Sequence, residues 1–496
     1  MLVPLPEWPW QTVRRWAAER GVRVWVVGGA VRDVLLGRPV HDWDFTVDGD
    51  ALGLARALAD GLGGAYFPLD AERGTGRVVL AAADEPRQEL DFAALHSAGL
   101  EADLRARDFT VNALAVDEVG LLTDPTGGQE DLAARCVRAT SERAFRDDPL
   151  RLLRAMRMEA ELGFGIEPQT VSWVRRDAPL LARPAAERVR DEFARLLAAP
   201  GAASHLERCD EFGLLSHVVP ELQSLKGVTQ SPPHRAGVWR HTLQTVDALE
   251  GIVALIRGEE SVPRPDRFPK PVRSSVAWGD LGRVLVQFAA DLCAHLAVEV
   301  SSGRDRALLL KLATLLHDVG KPETWSQDTE GRIHFYDHEP VGARMAAERT
   351  QELRFSRDEV ERVSTMVAYH LRPSHLAESG QVTRRAVYRY FRATGDAGVE
   401  VVLLALADHL AIWGPALQEV RWARLLEVAE TLLTHYFERH AETVAPPPLV
   451  TGDDLMAELG LAPGPEIGRL LEAVREAQAA GEVQTREEAL ALARRL

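Results

Sequence analysis

Two aspartates separated by one residue lie early in the chain, in the stretch Asp42-Trp-Asp44-Phe-Thr-Val. The β-branched and aromatic residues around them predict a strand, and residues at i and i+2 of a strand point to the same face. Two carboxylates so placed repel each other, and a bound cation relieves that repulsion. Because such oxygen ligands favour Mg²⁺ completed by substrate phosphates, the pair indicates phosphoryl-transfer chemistry.

Paired glycines stand just before these aspartates. Gly28 and Gly29 end a β-branched run and are followed by Arg32 and Asp33 at the start of a predicted helix. Such a turn presents backbone N–H groups that no side chain obstructs. It therefore predicts a triphosphate-binding site. Asp-x-Asp and Gly-Gly are each common without a function. Their combination with Arg32 on a strand, turn and helix resembles the DNA polymerase beta-like nucleotidyltransferase superfamily.

A second motif is Arg107-Asp108-Phe-Thr-Val-Asn112-Ala. It resembles the Arg-Arg-Asp-Phe-Thr-x-Asn-Ala motif of the bacterial and eukaryotic-type tRNA nucleotidyltransferase and bacterial poly(A) polymerase family. The resemblance implies that Arg107, Asp108 and Asn112 contact the sugar and phosphates of the incoming nucleotide. Ala106 stands where that family usually has the first arginine.

The predicted strand Glu89-Leu-Asp91-Phe-Ala-Ala offers further carboxylates. The resemblance implies that Asp91 is the third active-site carboxylate, and Glu89, on the same face, competes for that role. Only about ten residues, Leu95 to Leu104, connect this strand to the Arg-Asp-Phe-Thr motif. Family members that complete the whole CCA end carry a longer flexible segment here. The short connection therefore resembles that of CC-adding members, which work beside a separate A-adding enzyme.

Acidic and basic residues share one side of a helix predicted near residue 150, with proline in its first turn. A carboxylate and a guanidinium one turn apart can pair with cytosine, although spacing alone favours a solvated ion pair. These residues also resemble the family's Glu-Asp-x-x-Arg base-reading motif, and that resemblance favours base recognition over a solvated ion pair. The resemblance implies that Asp148 and Arg151 recognise the base. Asp147 stands where the family has Glu, and a later helix is expected to support the base-binding site. The predicted set is Asp147, Asp148, Arg151, Arg154, Glu187 and Arg188.

Histidines and aspartates recur on separate helices in the second half of the chain, at His241, His317, Asp318, His338, His370 and Asp408. Imidazoles combined with carboxylates suit a divalent transition metal. The ordered set resembles the HD phosphohydrolase superfamily. That resemblance implies one ion on His241, His317, Asp318 and Asp408, a second ion using His338 and His370, and a metal-activated water that attacks a phosphoester. The metal would be Mn, Fe, Ni, Zn or Mg.

The elements that must position these residues divide the chain. A helix is predicted over 51–62, and strands at 22–30, 43–47, 77–82, 88–93 and 112–117. They predict an α/β nucleotidyltransferase head with a polymerase beta-like mixed sheet, followed by mostly helical domains. Prolines predict a loop at 261–273 and a break at 445–450. The expected domains are a catalytic head (1–139), a helical neck (140–224), an HD domain (225–440) and a C-terminal helical tRNA-binding module (441–496).

The composition fits a cytoplasmic enzyme. An apolar share of 46% with 27% charged residues is typical of a globular chain, and no apolar run is long enough to cross a membrane. A formal charge of −16 argues against a protein that coats nucleic acid, but it says little about a local cleft. Three widely spaced cysteines indicate neither a disulfide framework nor a thiolate zinc site.

The resemblance implies template-independent addition of cytidine to the 3′ end of tRNA from CTP, with Mg²⁺ in the head. ATP would be a second substrate if the chain added the whole CCA end. The alternatives are a full CCA-adding enzyme, a poly(A) polymerase or A-adding enzyme, an alarmone synthetase/hydrolase, and a non-enzymatic RNA-binding module. The sequence does not determine the oligomeric state.

Overall fold

The computed structural model describes the chain except residues 41, 83–84, 96–98, 235, 260–274 and 414–417. The loop predicted at 261–273 therefore lies outside the described residues. The described chain forms two compact units, unit 1 comprising 1–184 and 212–214, and unit 2 comprising 185–211 and 215–496. No helix among the described residues is long and apolar enough to cross a membrane.

Unit 1 is built on a seven-stranded mixed sheet of order β3-β4-β5-β2-β1-β6-β7. The strands are β1 (Arg23–Val27), β2 (Asp42–Asp48), β3 (Ala65–Asp70), β4 (Thr75–Ala82), β5 (Glu85–Ala94), β6 (Ala115–Val116) and β7 (Leu122–Thr123). Strands β2 and β5 are parallel, and the other neighbouring pairs are antiparallel. The α/β head with a mixed sheet is confirmed. The strand predicted over 112–117 is only two residues long, because a 3₁₀ turn occupies Thr110–Asn112.

Alternation along β2 fixes which face of the sheet is buried. Trp43, Phe45 and Val47 are buried, and the ring of Phe45 stacks against Phe92 of β5 at 5.0 Å and against Trp10 at 6.3 Å. Burying aromatic side chains of this size dominates the energetics of such a layer. The opposite face of the strand is thereby left to Asp42 and Asp44.

The helices of unit 1 are α1 (Trp10–Glu19), α2 (Gly29–Leu35), α3 (Ala51–Leu62), α4 (Leu100–Arg105), α5 (Gly128–Ala133), α6 (Ala144–Asp147), α7 (Arg151–Leu162) and α8 (Pro168–Asp177), with a small parallel pair β8 (Cys136–Val137) and β9 (Gly165–Ile166). Helix α3 has the predicted bounds. The Asp50 side chain caps its N-terminus by accepting from the Gly53 N–H, and Gly63 ends it in the left-handed conformation.

Unit 2 is mostly helical. Its helices are α9 (Ala186–Ala198), α10 (Ala202–Glu211), α11 (Leu215–Val218), α12 (Val238–Ile256), α13 (Ser275–Leu285), α14 (Ala289–Leu296), α15 (Arg306–Leu316), α16 (His338–Glu352), α17 (Arg357–Tyr369), α18 (Arg372–Glu378), α19 (Arg384–Thr394), α20 (Gly398–Trp413), α21 (Glu419–Phe437), α22 (Gly452–Leu459), α23 (Pro465–Ala480) and α24 (Arg486–Ala493). Two short hairpins pair β10 (Glu299–Ser301) with β11 (Arg304–Asp305) and β12 (Trp325–Gln327) with β13 (Ile333–Phe335).

A layer of packed helices forms the centre of unit 2. Helix α12 packs against α15 and α20, and α17 packs against α15, α16 and α20. Helix α15 is almost entirely apolar, and eight of its residues are buried. The break predicted at 445–450 is confirmed, since these residues form no helix or strand. Beyond it, α22 to α24 bury a small core of their own around Leu455, Leu470 and Val474.

Candidate functional site

Four carboxylates share one face of two adjacent strands in unit 1. The parallel register of β2 and β5 places Asp42 beside Glu89 and Asp44 beside Asp91. Neighbouring strands lie about 4.8 Å apart, so the four groups form a compact negative patch. The structure therefore brings together Asp42, Asp44 and Asp91, and it keeps Glu89 in the same patch.

An arginine missed by the sequence reasoning pairs with this patch. Arg77 of β4 lies opposite Asp91 in the antiparallel register, and its Nε and Nη2 donate to the two Asp91 carboxylate oxygens at 2.7 and 2.8 Å. Its Nη1 also forms an ion pair with Glu89. The β4 sequence alone carries no signal for this role, because the pairing depends on the strand register. In this state Asp91 is held by Arg77.

The electrostatics of Asp44 favour a cation. Burial raises the pKa of Asp44 to about 6; Arg107 opposes the shift, whereas Asp91 and Asp42 add to it. Desolvation and like charge disfavour the ionised form unless a positive charge approaches. Clustered oxygen ligands with no imidazole or thiol among them fit Mg²⁺ better than a softer metal.

Gly28 lets the backbone pass close to this patch. It has a positive φ of 73°, and a Cβ built on it would lie 2.8 Å from Arg107 Nη1 and 3.3 Å from Asp44 Oδ2. A side chain would therefore fill the space between the arginine and the carboxylate. Gly29 follows as the first residue of α2. The predicted glycine turn is thus in contact with Asp44 and Arg107.

Hydrogen bonds connect the Gly28–Asp33 turn to the second motif. Arg32 donates from Nε and Nη2 to the two Asp33 oxygens at 2.9 and 2.8 Å, and from Nη1 to Asn112 Oδ1 at 2.7 Å. Asn112 Nδ2 donates to Asp108 Oδ1 at 3.1 Å. These residues, predicted separately from two stretches of sequence, therefore form one continuous polar network.

Asp108 is the buried centre of that network. Its Oδ1 accepts from the Phe109 N–H at 2.8 Å, and its Oδ2 accepts from Arg154 Nη1 at 3.2 Å. Burial alone would raise the pKa of Asp108, but Arg154 and the hydrogen bonds from Asn112 and Phe109 hold it below its usual range. Asp108 is therefore an ionised anchor that orients Arg154 and Asn112.

Two arginines around Asp108 differ in what they contact. Arg151 donates to main-chain oxygens, at 2.9 Å to Ala106 and 3.4 Å to Arg107. Arg107 lies 3.6 Å from Asp103 of α4, and its buried Nε has no hydrogen-bond partner. A buried donor without a partner is costly, and a ligand oxygen would satisfy it.

The helix expected to carry both Asp147 and Arg151 is interrupted. Helix α6 ends at Asp147, α7 begins at Arg151, and Asp148 between them is extended, with φ −143° and ψ 101°. Pro149 is the cause, because the residue before a proline is driven out of the helical region. Asp148 Oδ1 accepts from the Leu150 N–H at 3.2 Å, and Asp147 lies 3.9 Å from Arg143. The single-helix prediction was wrong, although Arg151 and Arg154 do share α7.

Glu187 and Arg188 lie at the start of α9, which belongs to unit 2, and both are exposed. The other predicted nucleotide-binding residues belong to unit 1. The support of Glu187 and Arg188 for base recognition therefore stays a prediction.

Six buried residues of unit 2 converge on one centre. They form two triads, each with its ligand atoms within 4.8 Å of one another, namely His241, His317 and Asp408, and Asp318, His338 and His370. His241 comes from α12, Asp408 from α20, His338 from the start of α16, and the other three from the ends of α15 and α17. All six residues predicted from the sequence are brought together.

Asp318 faces both triads. Its Oδ2 lies 3.3 Å from His317 Nε2 and 3.6 Å from His241 Nε2, and its Oδ1 lies 3.6 Å from His338 Nε2 and 3.9 Å from His370 Nε2. Asp408 Oδ1 lies 2.8 Å from His241 Nε2. One Asp318 oxygen lies near each triad, so this residue could contribute a ligand atom to both, a placement that the sequence did not predict.

The backbone sets the imidazole orientation in three of these histidines. The Nδ1 atoms of His317, His338 and His370 each lie 2.8 Å from the carbonyl oxygen three residues earlier. That contact assigns the proton to Nδ1 and leaves Nε2 free to ligate a metal. The buried Nε2 of His338 has no hydrogen-bond partner. These residues therefore fit a borderline divalent metal.

Protonation substitutes for a metal at this centre. Burial opposes a charge on His317, but Asp318 raises its pKa above the usual value. Burial lowers the pKa of His370 to about 3, with further lowering from His317 and His338. Asp318 and Asp408 thus favour a proton on His317, whereas burial and the neighbouring imidazoles keep His370 neutral.

Two further residues border the centre. The buried Lys321 donates from Nζ to Gln230 Oε1 at 2.7 Å and forms an ion pair with Asp318 Oδ2 at 2.7 Å. The ring of His234 lies 5.2 Å from that of His241, and burial followed by the charge of Lys321 lowers its pKa to about 4. The sequence reasoning missed His234, because it stands in a loop among prolines rather than on an apolar helix.

Comparison with known families gives three matches along the chain. The family described as "Poly A polymerase head domain" matches residues 24–138, "Probable RNA and SrmB- binding site of polymerase A" matches 163–226, and "HD domain" matches 286–413. His241 lies outside the HD match, yet the fold places it beside Asp408.

Two tRNA nucleotidyltransferases are similar to this chain over nearly its whole length. An A-adding tRNA nucleotidyltransferase of Deinococcus radiodurans is 39% identical over 95% of this chain and 94% of the relative. A CC-adding tRNA nucleotidyltransferase of Thermus thermophilus is 36% identical over 94% and 92%. Among solved structures, the Thermotoga maritima CCA-adding enzyme complexed with tRNA has a TM-score of 0.57 at 20% identity, covering 98% of this chain and 94% of that one.

Asp44→Asn is expected to stabilise the metal-free protein. The raised pKa means that the folded state holds this proton more tightly than the unfolded state, so stability falls as pH rises from about 4 to 6. A shift of this size corresponds to at most about 3 kcal/mol, and about 1 kcal/mol is expected because Asp44 is only partly buried and solvent screens its charge. The free energies of unfolding of the variant and the wild type are compared by denaturant titration in EDTA at pH 8.

The advantage of Asp44→Asn should shrink below about pH 6 and disappear below about pH 4, where the wild-type carboxyl is protonated in both the folded and the unfolded state. The control is Asp48→Asn on the same strand, which is exposed and should change stability by less than about 0.5 kcal/mol. A variant less stable than wild type at pH 8 would contradict the electrostatic account.

The unit 2 centre is expected to hold two transition-metal ions per chain. Elemental analysis after metal loading and desalting should give two ions for the wild type. His338→Ala combined with His370→Ala should give one ion, and Asp318→Ala should give none, because Asp318 faces both triads. His217→Ala, an exposed histidine on α11, is the control. Equal metal content in all four proteins would contradict the site.

Proposed function

Because this chain belongs to the tRNA nucleotidyltransferase family, we propose that its head adds nucleotides to the 3′ end of tRNA without a template, in the cytoplasm. The 3′-hydroxyl oxygen attacks the α-phosphorus of a nucleoside triphosphate, loses its proton, and pyrophosphate leaves. The observation that carries the proposal is the shared face of Asp42, Asp44 and Asp91 beside Gly28 and Arg107.

The carboxylate face would hold Mg²⁺ through Asp42 and Asp44. When bound there, Mg²⁺ would supply the positive charge that lowers the pKa of the attacking hydroxyl and neutralises the departing pyrophosphate. Asp91 is the third carboxylate, and its two hydrogen bonds from Arg77 keep it fixed at the edge of the patch. Arg77 also limits the repulsion among the four carboxylates before magnesium and the nucleotide bind.

The triphosphate would occupy the space that a Cβ on Gly28 would fill. Arg107 faces that space and carries a buried Nε without a partner, which a phosphate oxygen can accept from. Gly29, Arg32 and Asp33 complete the turn, and Arg32 holds Asn112 near the sugar. The network around Asp108 therefore serves to keep the nucleotide seat rigid.

Base selection is proposed for the residues on and before α7. The carboxylate of Asp148 would accept from cytosine N4, and the guanidinium of Arg151 would donate to N3 and O2. Arg151 is held by the main-chain oxygens of Ala106 and Arg107, and Arg154 is held by Asp108. Because main-chain contacts fix Arg151, its orientation does not depend on the nucleotide. The contributions of Asp147, Glu187 and Arg188 would be secondary.

The connection between β5 and Arg105 favours CC addition. After Ala94, at the end of β5, only a few residues precede α4, and α4 itself places Asp103 3.6 Å from Arg107. A short connection that ends in a fixed helix leaves little chain to reshape the pocket from cytidine to adenosine. The identities of 39% and 36% to an A-adding and a CC-adding relative do not separate the two activities. A-adding and full CCA-adding enzymes are the alternatives.

The unit 2 centre is proposed to be a metal-dependent phosphohydrolase. His241, His317, Asp318, His338, His370 and Asp408 would hold Mn, Fe, Ni, Zn or Mg, and the bound metal supplies an activated water. The substrate phosphoester gains the water oxygen at phosphorus and releases an alcohol. The domain proposal remains a head (1–139), a neck (140–224), an HD domain (225–440) and a tRNA-binding module (441–496).

Purified protein is expected to add two cytidines and stop. The test offers tRNA lacking its last three nucleotides, with CTP and ATP together, and sequences the product. Asp42→Ala should lower the rate about a thousandfold or more, since metal stabilisation of developing charge contributes several kcal/mol. Asp48→Ala, exposed on the same strand, is the control. A product three nucleotides longer and ending in A would refute CC addition.

Asp318→Ala is expected to abolish phosphohydrolase activity and to spare nucleotide addition. The prediction follows because Asp318 faces both metal triads of unit 2, whereas the carboxylate face belongs to unit 1. Hydrolysis of a nucleoside 2′,3′-cyclic phosphate and incorporation of labelled CTP are measured on the same preparation. Loss of both activities together in a folded variant would contradict two separable sites.

A further inference from the structure

A pocket of about 350 Å³ opens in unit 2 next to the metal centre. Asp408, a predicted metal ligand, forms part of its wall. A space of this size is at the small end of the range for ligand sites and can hold one nucleoside. A substrate whose phosphate reaches the metals past Asp408 would therefore place its neighbouring atoms in this pocket.

Two arginines line the pocket. Arg421 and Arg424 both line it and are one turn apart on α21, so they share a face of the helix. Between them Trp422 is buried, and its ring stacks with that of His409 at 5.5 Å. Because Trp422 packs into the interior, α21 presents the two arginines from a fixed backbone.

The remaining walls are mostly apolar. Leu371, Ile412 and Leu425 line the pocket, together with Ser374. The carboxylates among the described lining residues are Asp408 and Glu378. Asp408 is paired with His241 at 2.8 Å, which leaves Glu378 against two arginines. Apolar surface beside guanidinium planes suits a base that stacks, and guanidinium groups suit a phosphate that two forks can hold.

We propose that this pocket binds the penultimate nucleotide of an RNA 3′ end, with Arg421 and Arg424 on the internucleotide phosphate. The terminal phosphate would then lie at the metals beside Asp408. Arg421 and Arg424 are therefore specificity-determining residues that make the centre prefer an oligonucleotide end over a mononucleotide. The inference rests on the proposed phosphohydrolase function of this centre.

The test compares two substrates with the same terminal group, cytidine 2′,3′-cyclic phosphate and the dinucleotide CpC ending in a 2′,3′-cyclic phosphate. Metal-loaded wild-type protein should have a kcat/KM about tenfold or more higher for the dinucleotide, because one additional phosphate contacts two arginines. Arg421→Ala combined with Arg424→Ala should reduce the ratio to about one and leave hydrolysis of the mononucleotide within about twofold.

The control is Arg357→Ala, since Arg357 begins α17 and lies about 20 Å along that helix from His370 at its other end. Binding of fluorescent CpC 3′-phosphate by the wild type and the double variant is measured in parallel. Equal kcat/KM for both substrates in the wild type, or a ratio unchanged by the double variant, would overturn the inference. If the wild type hydrolysed neither substrate, the phosphohydrolase proposal would fail. The pocket would then be tested by binding alone, and equal binding by the wild type and the double variant would overturn it.

Discussion

Repulsion among four carboxylates on one face of the sheet is the constraint on which unit 1 depends. Asp42, Asp44, Glu89 and Asp91 are brought together by the parallel pairing of β2 and β5, which is fixed on the other face by buried aromatic rings. Hydrophobic packing therefore imposes an electrostatic cost at the site. Arg77 offsets part of that cost, and burial, with a further contribution from Asp91 and Asp42, raises the pKa of Asp44. A bound divalent cation would remove the rest.

The same constraint explains why a glycine stands where the chain turns. Arg107 approaches Asp44 from the other side of Gly28, and any side chain at Gly28 would separate them. Arg107 in turn follows α4, and its neighbour Asp108 anchors Arg154 and Asn112. The geometry of the proposed nucleotide-binding site thus depends on the backbone conformation of Gly28. The polar network behind it transmits that position to the residues proposed to read the base.

Sequence reasoning located the site because its signals are local. Asp42 and Asp44 share a face by strand period alone, and α3 is bounded by its own capping residues Asp50 and Gly63. Sequence reasoning did not predict the residues whose roles depend on partners distant in the sequence. Arg77 acquires its role only through the register of β4 with β5, and the position of Asp318 near both triads needs four helices in place. The interruption at Asp148 is different, since the effect of Pro149 on its predecessor was readable from the sequence and was overlooked.

Both centres bring carboxylates close together, but the groups that surround these carboxylates differ. In unit 1 the clustered side chains that could ligate a metal are carboxylates, and burial raises the pKa of Asp44 to about 6. In unit 2 imidazoles surround Asp318 and Asp408, so a proton on His317 can substitute for the metal and the buried carboxylates stay ionised. Hard oxygen ligands and borderline nitrogen ligands select different ions from one cellular pool. The ligand sets of the two proposed centres therefore favour different classes of ion, which would allow each centre to be loaded separately.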